Sequence, residues 1–597
     1  MNTMFACLKT YKLAAGILLL IIACAAPASA PQYRYAVAIS SRAYADPAWK
    51  TVADSLLSKH NQTGTAAQFI WSSSITDIRT SLSDFRPDYI GYIARPVSEC
   101  NAEFVVTVST MSRELDADPY GDAVWGIITG YEAADALRAI SDSLTVRTVV
   151  AASANLSYEP PIRRFHQAIG MTCDSYTKTD YLFADRNGEV YSEQKRPQNQ
   201  HDRINLVGSW LNAQSIRVEV PGQGSIQGAV DCIITGGHGN VNAWQCHYPE
   251  AGTEGFMQSQ GGKLYGVPYS GNPVSITAAT PKIYWCASNC LMGNPDSKDN
   301  IVYAAFHSGR AVQMFGFVNN ASSGNEFMAW GVYDRVTKRA GTHTLPEAFF
   351  LSNNNALFEI LNPTGLINAN RVRLFMDSTV FYGDPAGNVT FQDFGDSAKA
   401  YTTDIVFNQD ESGRADFSFT YTMRAHDLEY GTGYCYQFRP VQRLPARLDP
   451  TSIQITRNDG NHAEITDNLL IWNMLSPGEK LAKGESKTLQ WSANITDATT
   501  GVISADNHRV AKRSEPRLYV TSLKNDMHFR IDGVKKGEFF IRIVTPAGKL
   551  IHTLVAFSPG TGKQSFLIEK KLSSGIYYAV LTQKDVSVNS VIPVGIY

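Results

Sequence analysis

The sequence predicts an α/β fold over residues 31–395 followed by all-β material to the C-terminus, and three observations carry that expectation. Short apolar runs alternate with helix-spaced apolar positions through the first part, the pattern of a parallel sheet covered by helices. Beyond about residue 395 the helical period disappears and Thr/Ser/Asn-rich alternation replaces it, which is the period of half-buried strands. A chain of 597 residues also exceeds what one hydrophobic core organises, so several units are expected.

The N-terminus places Lys9 and Lys12 before an apolar run from Leu13 to Ala26 and closes with Ala28-Ser29-Ala30, the order of a secretory signal. The run is short for a bilayer span, so residues 1–30 read as a signal peptide and the protein as exported, either secreted or held at a bacterial cell surface. Ile21-Ile22-Ala23-Cys24 is similar to a lipoprotein cleavage box, which makes lipidation of Cys24 the alternative route.

A strand at Tyr35–Ile39 precedes Trp49, Val52, Ala53, Leu56 and Leu57 at helical spacing; strands near Phe69 and at Tyr89–Ile93 and Trp125–Ile128, a helix at Glu132–Ile140 and an apolar run at Val146–Ala151 follow. Glu159-Pro160-Pro161 breaks the pattern and sets the end of a first α/β subdomain, 31–155. The second, 156–395, carries a helical reading at Ile162–Ile169 and apolar strands at Asp231–Thr235, Lys282–Trp285 and Ala311–Val318. Alternation at Ala415–Met423 and Thr488–Ile495 marks a β-sandwich over 396–512. A terminal β domain, 513–597, holds Phe539–Val544, a turn at Pro546-Ala547-Gly548 and a hairpin through Leu572–Leu581.

With 53 basic against 55 acidic side chains there is no field to hold a polyanion, and no Lys/Arg run is interleaved with aromatics, so nucleic acid is excluded as a partner class. Removing the signal takes away Cys7 and Cys24 and leaves Cys100, Cys173, Cys232, Cys246, Cys286, Cys290 and Cys435. That odd number leaves at least one thiol unpaired or paired between chains in an oxidising compartment.

Two runs carry the chemistry. Asp231-Cys232-Ile233-Ile234-Thr235-Gly236-Gly237-His238-Gly239 is an apolar strand ending in glycines around one histidine, and Lys282-Ile283-Tyr284-Trp285-Cys286-Ala287-Ser288-Asn289-Cys290 is another that opens into small residues before a cysteine. The fifty-two positions from His238 to Cys290 agree with the roughly 50-residue separation in caspase-type peptidases. An imidazolium beside a thiol favours the thiolate and can protonate a leaving amine. The backbone N–H groups of Gly239 and Cys290 are the expected oxyanion donors. Cys286 competes as nucleophile but lies within the strand and is expected to be buried. Asp231, Glu250, Glu254 and Glu132 are candidates to orient His238, with none preferred. Cys232, His238, Cys246, His247, Cys286 and Cys290 could instead act as soft metal ligands, but their spacings match no common zinc pattern. No organic cofactor is implied; structural calcium is an option at the Asp/Asn clusters Asp116–Asp122 and Asn294–Asn300.

The longer context resembles the gingipains, family C25 of the caspase-like clan. The resemblance rests on strand-His-Gly, on Cys290-Leu291-Met292-Gly293-Asn294, on Ala304-Ala305-Phe306 with Gly309-Arg310-Ala311-Val312 to Gly316, and on Gly383-Asp384-Pro385 after Val380-Phe381-Tyr382. It covers about 34–395. It implies a caspase-like fold of two α/β subdomains, the second catalytic, then an immunoglobulin-like domain, and a secreted cysteine endopeptidase acting on protein or peptide substrates through an acyl-enzyme. The pattern starts almost directly after the signal, leaving no room for the family's long prosegment, and Asn289 stands where the family has alanine. An inactive surface or adhesion protein on the same scaffold is therefore the alternative. Gly548-Lys549-Leu550 and Leu572 to Leu581 resemble the sorting domain of type IX secretion cargo, which implies an outer-membrane secretion machinery as partner.

Overall fold

The computed structural model describes residues 33–153 and, with gaps, 167–497 and 517–596. The signal segment, Cys173, Cys246, Cys435, His247, Glu250, Glu254 and the turn at 546–548 lie outside the described residues. The fold is mixed α/β with a large, mostly parallel sheet, followed by several antiparallel sheets in the C-terminal part.

The large sheet has twelve strands: β1 (Arg34–Ser40), β2 (Thr65–Trp71), β3 (Tyr89–Ile93), β4 (Val124–Ile128), β5 (Thr148–Ser153), β6 (Gln167–Thr172), β7 (Thr179–Phe183), β8 (Ser192–Lys195), β9 (Cys232–Thr235), β10 (Lys282–Cys286), β11 (Ala311–Phe317) and β12 (Thr379–Tyr382). Their order is β2-β1-β3-β4-β12-β11-β10-β9-β5-β6-β7-β8. Strands β3, β4, β9, β10, β11 and β12 are buried along their whole length, as continuous apolar runs in a two-sided parallel sheet must be.

Strand direction changes in the middle of this sheet, and again at its edge, where β7 runs antiparallel to both β6 and β8. β1 to β4 and β12 are mutually parallel, and β5, β6, β9, β10 and β11 are mutually parallel, but β11 meets β12 antiparallel. Two parallel blocks therefore lie side by side with opposite polarity, and the carboxyl ends of the second share a rim with the amino ends of the first. Val318, just past β11, donates its N–H to the carbonyl of Ser378, just before β12, at 2.8 Å on that rim. β5, which the sequence places before the break at Pro160-Pro161, pairs with β9 in the second block. Residues 167–169 of the segment read as helical belong to β6; a short apolar run does not by itself distinguish strand from helix.

The helix Pro47–Asn61 shows how local signals set the covering layer. The Asp46 side chain accepts from Ala48 N–H, Pro47 opens the helix, and Trp49, Val52, Ala53, Leu56 and His60 form the buried stripe, consistent with N-cap and N1 preferences. The last turn reaches Asp384, whose buried carboxylate accepts from Lys59 Nζ at 2.8 Å, His60 Nε2 at 3.0 Å and Tyr35 Oη at 2.9 Å. Burial opposes ionisation there, yet the charges and hydrogen bonds of His60 and Lys59 hold the carboxyl well below the usual carboxylate range. A group lowered on folding stabilises above its unfolded pKa, about 3.9 for Asp, and that stability is lost as pH falls through the folded value. Asp384→Asn should therefore lower stability near neutrality by on the order of 3 kcal/mol, the cost of breaking a buried pair, and should flatten the acid limb of denaturant-midpoint against pH.

The following β segment packs on the α/β part. Arg414–Met423 pairs antiparallel with Ser486–Asp497, covering both stretches in which the sequence showed alternation. Arg439, 0% exposed, donates to Glu359, also 0% exposed, at 2.8 Å, to Asn473 Oδ1 at 2.7 Å and to Asn355 Oδ1 at 3.2 Å. Arg443 faces Asp88 at 3.5 Å, and Arg447 donates to the carbonyls of Pro87 and Asp122. The last segment, 517–596, forms a three-stranded sheet of Arg517–Leu523, Asp526–Asp532 and Gln564–Ile568 and a four-stranded one in which Gly575–Gln583 pairs with Val586–Ile596. No described helix is long and apolar enough to cross a membrane.

Candidate active site

β9 and β10 are parallel neighbours in register, with Thr235 opposite Cys286. Whatever follows each strand must therefore emerge on the same rim of the second block. The turn after β9 carries His238 and the turn after β10 carries Cys290, so the pairing brings together the two stretches that the sequence singled out.

The first turn is tight because Gly237 adopts φ +113°, a conformation that L side chains rarely adopt. His238 is exposed. Gly239 then lies against the cysteine turn: a Cβ there would stand 2.6 Å from the Cys290 carbonyl oxygen and 3.0 Å from both Asn289 Cβ and Met292 Cγ. The backbones that carry the two expected oxyanion donors are thus in van der Waals contact. Beyond Gly239 the chain enters an antiparallel sheet through Gly239–Asn240 and Ala243–Gln245, and Trp244, fully buried, donates its indole N–H to Gly236 O at 3.2 Å.

The second turn is held from the β11 side. Leu291 N–H donates to Asn319 O at 3.0 Å and Gly293 N–H to Phe317 O at 2.9 Å. Leu291 itself has φ +61°, an uncommon conformation for a non-glycine residue that persists where its surroundings enforce it. Cys290 is half-buried and its neighbour Asn289 is fully buried. Asn289 Oδ1 accepts from Thr235 Oγ1 at 2.7 Å, and its Nδ2 donates to Gly237 O at 3.1 Å.

The other described cysteines of the region are enclosed. Cys286 is 1% exposed and burial pushes its thiol up to about 12; Cys232 is fully buried and its thiol is raised well above the ordinary value for the same reason. Neither is poised to supply a thiolate or to meet a substrate. Peptide-resolved alkylation with iodoacetamide at neutral pH should mark Cys290 while sparing Cys286 and Cys232, and all three should react once the chain is unfolded. Labelling of Cys286 in the native protein would overturn this assignment.

The carboxylates considered beside His238 separate. Asp231 sits at the amino end of β9 and accepts from the N–H groups of Arg147 at 2.8 Å and Thr148 at 3.0 Å, on the rim opposite His238. Lys282 is buried on that same far rim, donating to Val230 O at 2.7 Å, and burial lowers it to about 8. Glu132 is exposed and forms the N-cap of the helix Ala133–Ser141 in a capping box with Asp135, beyond the carboxyl end of β4 and so also on the far rim.

Asp116 and Asp118 converge with Asp467, their oxygens within 4.8 Å of one another. Burial and then Asp116 raise Asp118 to about 7, and the same two causes raise Asp122 further. In the second Asn/Asp cluster, Asn300 caps the helix Ile301–His307 through Tyr303 N–H and Asn294 Oδ1 accepts from Asp296 N–H, the turn geometry for which such residues are favoured.

No family model and no curated protein matches the chain. Among solved structures it is similar to the apo β-glucuronidase of Ruminococcus gnavus at 7% identity, covering 31% of this chain and 36% of that one, with a TM-score of 0.12. The complex of that enzyme with uronic isofagomine gives 8% identity over 32% of this chain and 36% of that chain, and its complex with D-glucaro-d-lactam 8% over 32% and 38%, both with TM-scores of 0.12. The chain thus covers well under half of the glucuronidase. At that TM-score the likeness carries no argument.

Sequence reasoning passed over Asn289, Thr235 and Trp244 as members of this site. The available signal was a single amide side chain in an otherwise small-residue run, Ala287-Ser288-Asn289-Cys290.

Proposed function

We propose that the chain is an exported cysteine endopeptidase of gingipain-like type, with Cys290 as nucleophile and His238 as general base and acid. The observation that supports this reading is the parallel β9–β10 pair, whose register sends both turns to one rim and sets Gly239 against the Cys290 backbone. In the proposed reaction His238 accepts the thiol proton and the Cys290 sulfur attacks a peptide carbonyl. The tetrahedral oxyanion forms beside the N–H groups of Gly239 and Cys290. The C–N bond then breaks as His238 returns the proton to the departing amine, leaving a thioester. Water, deprotonated by His238, hydrolyses the thioester and restores the thiol.

Protein or peptide substrates follow from this chemistry. A caspase-like core, an immunoglobulin-like 396–512, release or surface attachment through an outer-membrane secretion machinery, and an exported location belong to the same proposal. A peptidyl chloromethyl ketone library tests it. The native protein should be alkylated at Cys290 with a rate that depends on the peptide, and Cys290→Ala should abolish the labelling. Labelling with no dependence on the peptide sequence, together with no cleavage of a peptide library, would instead favour a non-enzymatic scaffold.

A further inference from the structure

Asn289 is the residue at which this chain departs from the family pattern that it resembles, and its side chain bridges the two halves of the candidate site. It is fully buried, it follows β10, and both groups that it touches belong to the run after Ile234: the hydroxyl of Thr235 at 2.7 Å and the carbonyl of Gly237 at 3.1 Å. The orientation of the amide follows from chemistry. Gly237 O can only accept, so Nδ2 must face it; Oδ1 then faces Thr235, whose hydroxyl must donate. The amide therefore clamps the residues on either side of Gly236 and fixes the peptide plane that leads directly into His238. The next residue in the chain after Asn289 is Cys290.

We propose that Asn289 is a positioning residue that couples the His238 turn to the Cys290 turn, setting the imidazole–thiol geometry. This inference rests on the Cys–His reading above. Alanine at 289 could make neither bond, so the two turns would lose both of these hydrogen-bonded ties. A thiol and an imidazole on two separately anchored turns are sensitive to small displacements, and a 1 Å misplacement in a reacting pair costs on the order of a hundredfold in rate. Asn289 thus substitutes a specific tie for the small residue, rather than marking a loss of chemistry.

Aspartate at 289 gives a signature that a purely structural role does not predict. A protonated carboxyl can donate to Gly237 O and accept from Thr235, reproducing the tie, whereas a carboxylate presents an acceptor to an acceptor. Burial raises the pKa of such a carboxyl, so Asn289→Asp should pass from tied to untied as pH rises.

The test uses the full-length protein, with the iodoacetamide rate at Cys290 read against pH by peptide-resolved mass spectrometry. In the unchanged protein Cys290 should react faster near neutral pH than it does in His238→Ala. Asn289→Ala should move the profile toward that of His238→Ala with KM for a cleaved peptide little changed and kcat reduced on the order of a hundredfold. Asn289→Asp should follow the unchanged protein at low pH and Asn289→Ala at high pH, reversibly, with thermal unfolding midpoints recorded for each. If His238→Ala leaves the Cys290 profile unchanged, the Cys–His reading itself fails. If His238→Ala shifts the profile but folded Asn289→Ala and Asn289→Asp do not, the dyad stands and the positioning role of Asn289 is overturned. Should Asn289→Ala not fold, a pH-independent Asn289→Asp profile alone overturns it.

Discussion

His238→Ala is expected to lower kcat/KM for peptide cleavage by on the order of a thousandfold, within the range that a positioned acid–base group supplies. The loss has two sources. Without the imidazole there is no group to take the Cys290 thiol proton as the sulfur attacks. There is also no group to protonate the departing amine. An active ester, whose alcohol leaves without protonation, should lose less than an amide. Activity in His238→Ala within a fewfold of the unchanged protein would remove His238 from the mechanism.

The second large effect concerns stability. Arg439→Ala should cost about 3–5 kcal/mol, because a buried pair broken on one side leaves an uncompensated charge. Among the described residues Glu359 would keep the Thr364 N–H at 2.8 Å and the Thr364 hydroxyl at 2.7 Å, both on Oε1, with its other oxygen facing the space left by the guanidinium. The loss also removes bonds to Asn355 and Asn473 and the cation–π contact with Phe358 at 4.6 Å. The helix Leu345–Leu361 and the strand Leu469–Asn473 share this anchor, so the midpoint for residues 33–497 should drop as one transition. Arg439→Met combined with Glu359→Leu should be milder than Arg439→Ala, since no charge is then stranded. A change below about 1 kcal/mol for Arg439→Ala, the scale of a surface pair, would show that the pair contributes little.

Those two sites differ in how far the sequence announces them. β9 and β10 were legible because each is an uninterrupted apolar run closed by small residues, and a two-sided parallel strand leaves that trace. The helix Pro47–Asn61 was legible through the apolar spacing of Trp49, Val52, Ala53, Leu56 and Leu57, all of which except Leu57 are buried. Lys282 shows the limit of such reading: a lysine inside a predicted buried strand is in fact 0% exposed because Val230 and Thr280 receive its ammonium. The Arg439–Glu359 pair left no trace, since charged residues read as surface until their partners are known. Sheet order and the polarity change at β11–β12 depend on pairings between distant segments, and periodicity describes one strand at a time. Asn289 was visible only as an irregularity; its role needed the position of Gly237.

The opposed polarity of the two blocks bears on how a polypeptide could reach the thiol. The starts of β3 and β4 lie along the same margin as Cys290, and the chain's own later β segment already occupies them through Arg443 on Asp88 and Arg447 on Pro87 and Asp122. On the proposed peptidase reading, a polypeptide would approach along the margin formed by β11, β10, β9 and their outer neighbours. Its line of approach is set by the course of the main chain, before any specificity side chain is consulted.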